Sequence, residues 1–475
     1  MNMLRRATAV LLALLLAGCA TGVNPEPARP APAAAAGANR ELASPARLLL
    51  ALPEGRSGRL ALRPVDPVTL ADLPGFTPIL FNNSSVHAFT RDGRTLAFIR
   101  WSSSEQGDEI HFVDVENWEE KTTLVGVADD WAGHLFFSDD GSTLYWLEPT
   151  LVTEDHGMPR DYVLRKHSRT GHEMGVIARL PRDFTPVQVQ PLADGRRLAI
   201  LGQSVTDGNM AEGDAQVLLI RLTDGVIEAE IPLPGVIAGQ WTNEAGEYHY
   251  VQPGVAWDVP RSLLYVVDGT PDRVTVVDLA EGRVARQAEL RAVSWPERLG
   301  LVRIAAAKAL PGTFISATLS SGGDRLYVAA SQEEVEGPFD RPDVWRGVPL
   351  GLTVIDTATL REVGRLDLPV AEVALTPDGR QLLLWGRSVE CRGSCTQEGH
   401  GIYLVDAATL KKMVHLLPGN DATLLGFSPD GRYAYLGEDT GEGNVWHLDH
   451  RVLDLATGRL GAVRKIPQGY GHYVR

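Results

Sequence analysis

With 475 residues and 44% hydrophobic content, the chain is long enough to bury a sizeable core. Its formal charge of −15 speaks against nucleic acid as a partner and against a basic membrane-surface patch. Acidity of this size supports solubility without naming a ligand.

The first element is a targeting segment. Arg5 and Arg6 form a positive start, and Ala7 to Ala17 is an apolar run of eleven residues, too short to span a bilayer. The run ends Leu16-Ala-Gly-Cys19, which resembles the bacterial lipobox. That resemblance implies a signal peptide at 1–18, cleavage before Cys19 and acylation of Cys19. A plain secretory signal or a short hydrophobic anchor is the alternative. Ala20 in place of Asp favours, by the same resemblance, the outer membrane or cell surface within a bacterial cell envelope. Residues 19–45 are rich in Pro and Ala and lack apolar periodicity, so they read as a tether. Its reach is roughly 30 Å as a flexible coil, or about 80 Å if fully extended as polyproline.

From residue 46 onward the chain repeats one unit. Thr90-Arg-Asp-Gly93, Ser138-Asp-Asp-Gly141, Leu192-Ala-Asp-Gly195, Thr376-Pro-Asp-Gly379 and Ser428-Pro-Asp-Gly431 each precede a short apolar run, with looser copies at Ser321 and Val259. Asp-Gly suits a hairpin turn, because Gly takes positive φ without cost and Asp bonds the local backbone. A second strand pair follows each hairpin, as in Arg273–Arg283, Leu352–Leu360 and Ile402–Leu410. Four short strands recurring at this interval predict an all-β fold, a β-propeller of four-stranded blades forming a single domain over 46–475. Residues 47–73 look like a blade lacking its first strand, and Gly471–Arg475 sit where a first strand belongs. The expectation is therefore eight blades, the ring closed by the C-terminal strand. Seven is the count if 47–73 merely caps the fold. No amphipathic helix is apparent.

The Ser-Pro-Asp-Gly-Arg pattern resembles the TolB-like and YVTN-type, WD40-like propeller repeats of exported bacterial proteins, over residues 86 to 467. A likeness to the sialidase Asp-box fails, because Asp140 and Gly141 are adjacent. The resemblance implies fold and is nearly silent on activity.

Function is expected where the connections are long: 148–161, 203–215, 235–253, 291–312, 332–350, 387–400 and 437–449, all on the face opposite the Asp-Gly turns. These segments are acidic, with Glu148, Glu333, Glu438 and Asp449 among their carboxylates. They suit Ca²⁺ or a basic ligand, or are simply solvated. Trp241, Trp295, Phe339, Trp345 and Trp446 are aromatic candidates for stacking on a glycan or a protein, or for plugging loops. His447 and Asp449 are a possible ligand pair. His87, His134 and His472 lie near the channel mouth, where convergence would suit a metal or acid–base work, though their offsets from the turns differ by a residue. Cys391 and Cys395 are expected to pair as a disulfide in an exported protein; their spacing matches neither haem attachment nor a closed zinc site. No enzyme motif is present. The combined reading is a lipid-anchored binding or scaffolding module, membrane-attached, with a protein, small-molecule or glycan ligand. A propeller lyase or oxidoreductase with its site at the channel mouth is the rival.

Overall fold

The computed structural model describes residues 48–54, 59–82, 87–100, 109–125, 133–150, 161–169, 172–206, 210–242, 248–269, 272–290, 313–336, 344–428, 430–440, 448–466 and 472–474. The chain is an all-β propeller of four-stranded blades, and in most of the sheets formed by the described residues the strands follow one another in sequence. A single turn of 3-10 helix, Val259–Arg261, stands where the repeat lacks Asp-Gly. No helix among the described residues is long and apolar enough to cross a membrane.

The repeat turns that begin with Ser or Thr are built the same way; Leu192-Ala-Asp-Gly195 has no hydroxyl at its head, and there Asp194 accepts the Arg196 and Arg197 amides. Gly141 and Gly431 take φ of 66° and 68°, as the tight turn requires. The hydroxyl at the start of the motif ties the turn together. Ser138 Oγ donates to Asp140 at 2.6 Å and accepts from Thr143 N at 3.0 Å. Ser428 does the same with Asp430 and Tyr433 at 2.6 and 2.9 Å, and Thr90 and Thr376 repeat the arrangement. These bonds, with the hydroxyl first, push the Asp140 carboxyl down to about 2.

By compactness the chain falls into two units. In the first, the sheet of Leu48–Glu54, Arg59–Val65 and Ile79–Asn82 gains its remaining strand from the C-terminus. Leu49 pairs with Val474, Leu50 with Tyr473 and Ala51 with His472. The outer strand of this sheet is Ile79–Asn82, beyond the 47–73 stretch that the sequence assigns to this blade. Residues 66–70 instead form a turn: the Asp66 carboxylate accepts the Val68 and Thr69 amides, and Leu70 takes φ 58°. Neighbouring sheets pack face to face, with Leu49 and Leu62 against Leu96, Phe98 and Val113 on one side. On the other, Val65 and Leu70 meet Tyr435 and Val452.

In the second unit the same packing recurs. Val217 and Leu219 meet Leu264 and Val266, Val274 and Val276 meet Leu326 and Val328, and Leu352 and Val354 meet Leu382 and Leu384. Tyrosines from the repeat bridge blades: Tyr327 donates to Ala407 O at 2.9 Å, and in the first unit Tyr435 donates to Pro67 O at 3.2 Å.

Three of the expected loops are wholly or partly strand. Residues 239–242 and 248–252 form a hairpin, and strand Tyr248–Gln252 joins Thr313–Leu319 in parallel. Strands Arg325–Glu336 and Val344–Asp356 run past their blade, as do Gln381–Arg392 and Ser394–Asp406. The two extended hairpins pair with each other, Trp345 opposite Cys391 and Gly347 opposite Val389. Together they make a four-stranded arm on the face opposite the Asp-Gly turns. Long hairpins whose alternate residues all find cross-strand partners favour strand over coil, and that pairing is non-local.

Candidate functional site

The arm and the first strands beside it assemble a polar cluster within the second unit. Alternation along the paired strands puts Glu333, Trp345, Arg387 and Val389 on one side of the arm. Arg387 Nη1 reaches Asp421 Oδ2 at 3.0 Å. Gly399, opposite Arg387, lies so close to the Asn420–Asp421 backbone that a Cβ there would stand 2.0 Å from it. That close approach is what brings Asp421 within reach of Arg387. Glu372 opens strand Glu372–Leu375 opposite Trp385, and Ser316 Oγ accepts the Val373 amide at 3.2 Å to hold the strand in place.

Both glutamates are strongly perturbed. Burial pushes the Glu333 carboxyl up to about 7, against the opposing effects of a Trp345 hydrogen bond and the Arg387 charge. Burial likewise pushes Glu372 up to about 7, with Arg387 and Trp385 acting against the rise and the Asp421 charge adding to it. One guanidinium thus serves three carboxyl groups. It bonds Asp421 directly, and the remaining two carboxyls hold protons near neutrality. Near pH 7 each is able to give up or take a proton with a small change of conditions.

Beside the cluster, Ser388 Oγ and His400 Nε2 lie 2.8 Å apart. The His415 ring stacks on Tyr403 at 4.0 Å between centroids, and its Nε2 bonds His400 O at 2.9 Å. Cys391 and Cys395 are disulfide-bonded across the turn that caps the arm. They are neighbours on paired strands, so the bond clasps a hairpin tip and not an irregular loop.

The other candidate residues are distributed as follows. His87 and His134 are both on first strands of the first unit. His87 lies edge-on to Phe89 at 6.3 Å, and burial pushes the His134 imidazole down to about 4, so it is neutral at physiological pH. His472 is placed in strand His472–Val474 and Trp241 in strand Gly239–Thr242; their side chains lie outside the described residues, as do Cys19, Trp295, Phe339, Trp446 and His447. Asp449 is buried in strand Leu448–Asp454, opposite Glu438 and Lys465.

The four acidic residues named from these loops, Glu148, Glu333, Glu438 and Asp449, all occupy strands. Glu148 pairs with Arg165 and Glu438 with Arg451, each carboxylate almost fully buried. Both glutamates follow their turn glycine by seven residues, so the position belongs to the repeat. Among the described residues no group of three or more His, Cys, Asp or Glu has the geometry to hold a metal.

Sequence reasoning named Glu333 and Trp345 and passed over Glu372, Arg387 and Asp421. A signal for Glu372 exists: it precedes Gly379 by seven residues, the same offset at which His134 precedes Gly141. Nothing local announces Arg387 or Asp421, because their relevance depends on the pairing of the arm.

No family model matches the chain, and no curated protein matches it. Among solved structures it is similar to the Dos1 propeller, at 11% identity over 82% of this chain and 85% of that one, with a TM-score of 0.46. It is similar to the periplasmic gluconolactonase of Pseudomonas aeruginosa at 14% identity, covering 90% and 99% of the two chains, TM-score 0.43. An oligogalacturonate lyase in complex with manganese is similar at 12% identity over 89% and 96%, TM-score 0.41. Likeness of this degree says nothing of activity.

Proposed function

We propose that the protein is a lipid-anchored binding module of the bacterial envelope, an eight-bladed propeller held off the outer membrane by the 19–45 tether. Six four-stranded sheets among the described residues, and a ten-stranded sheet read as two further blades joined by the arm, support this count. The lipobox-like Leu16–Cys19 and the TolB-like repeats support this location. The observation that carries the reading is the arm itself. Two blades extend their central hairpins on the same face, and a disulfide and a shared sheet hold them rigid. Rigid projecting elements suit capture of a protein or glycan, because little ordering cost remains to be met on binding. Trp345 supplies an aromatic surface beside the polar cluster. Ca²⁺ in the acidic connections outside the described strands remains part of this proposal.

Shortening the first hairpin so that Ser331 and Gly351 are joined by a two-residue turn is expected to abolish partner capture from envelope extracts, while circular dichroism stays unchanged. An unchanged capture profile from the folded variant would refute the reading.

A second reading, a propeller lyase or oxidoreductase, is favoured by Glu333 and Glu372, two carboxyls shifted to where they exchange protons at neutral pH. Turnover by the purified protein that is lost in both Glu333→Gln and Glu372→Gln, with capture retained, would select it over the first.

A further inference from the structure

The outer strand of the arm has an open edge. Within Ser394–Asp406, residues Ile402–Val405 pair with strand Lys412–Leu416. Residues Ser394–Gly399 pair only with Gln381–Arg392 among the described residues, and Ser394 to Glu398 are all exposed. Protein edges are ordinarily blunted by Lys, Pro or a bulge. This one has none: the stretch reads Ser394-Cys-Thr-Gln-Glu398, and its register is regular from Arg387 to Arg392. It is also pre-ordered, by the Cys391–Cys395 bond and by Thr396 Oγ1 donating to Glu390 O at 3.2 Å.

We infer that this edge joins two copies of the chain, paired antiparallel about a two-fold axis at Thr396. In that register Thr396 faces Thr396, Cys395 faces Gln397, and Ser394 faces Glu398. Such a contact is isologous and closes on itself. The side chains of Arg392, Ser394, Glu390, Thr396 and Glu398 share one side of the sheet. Glu398 of the second copy therefore lies in the row of Ser394 and Arg392, with only the small serine between the charges. Strands about 4.8 Å apart put the two charged residues within side-chain reach. Arg392 is largely exposed and engages Glu390 through Nε at 2.6 Å, so its terminal nitrogens remain as further donors. The axis produces this charge pairing twice, together with a favourable Thr–Thr pair. A foreign strand has no such reason to match; self-complementarity is what selects a second copy.

Sedimentation of the full chain is expected to show a reversible monomer–dimer equilibrium in the micromolar range, as suits a small interface. Glu398→Arg or Arg392→Glu alone should weaken it about tenfold, and the double reversal should restore it to within about threefold. Thr396→Lys, which sets two like charges across the axis, should also weaken it, with circular dichroism confirming the fold in every variant. A chain that stays monomeric at high micromolar concentration overturns the inference. So does a dimer indifferent to these changes, or an edge whose 394–398 amides gain exchange protection only when an extended foreign peptide is added.

Discussion

At the scale of single residues, the chemistry concentrates on groups whose charge the fold makes awkward. Glu372 has an ordinary carboxyl in the unfolded chain and one pushed up to about 7 in the fold. Below about pH 4.5 both states are neutral and folding is not penalised. As pH rises towards 7 the unfolded chain gives up its proton first, so stability falls through that window and stays reduced above it. Glu372→Gln removes the titration. We expect the variant to match the parent below pH 4.5 and to exceed it by about 1 to 2 kcal/mol at pH 8, read by thermal or urea unfolding. A parent and variant with parallel pH profiles would mean that Glu372 is solvated. His134 acts in the opposite sense. Its imidazole is held down at about 4, so its contribution is complete above pH 6.5 and is lost as pH falls towards 4.

At the scale of the element, the blade is specified by residues that look incidental in the repeat. Serine or threonine at the head of the motif holds the turn aspartate and the returning amide together, and tyrosine in the following strand reaches the next blade. Removing the Tyr435 hydroxyl leaves Pro67 O without that donor, and the fully buried phenyl ring that remains offers no replacement. Tyr435→Phe should cost about 1 kcal/mol in equilibrium unfolding, as should Tyr327→Phe. Equal stability of parent and Phe variants would show that the hydroxyls are merely accommodated. The Asp-Gly turn was legible because it uses one residue for one backbone conformation. The tyrosine bridge was not, because its acceptor lies about 80 residues away at Ala407, and about 370 away at Pro67, where no local pattern marks it.

At the scale of the whole molecule, the two ends of the chain meet in one sheet, and three residue pairs carry that meeting. Truncation after Ile466 removes the strand His472–Val474 and exposes the edge of Leu48–Glu54. The loss of these backbone bonds should lower stability by about 2 to 4 kcal/mol and promote association through the bared edge. Unfolding curves and light scattering of the truncated chain test this, and an unchanged midpoint would show that the terminal strand contributes nothing. By itself the amino-acid sequence determined the four-stranded unit and its turns through short-range periodicity and turn chemistry, and the partnership of the two termini through the strand that one end lacks and the other leaves over in that repeat. Only the tertiary structure decided that 332–350 and 387–400 are largely strands of one arm, and that Glu333, Glu372, Arg387 and Asp421 share a site. Sheet pairing between blades and desolvation are sums over distant neighbours, and a local pattern of residues carries neither.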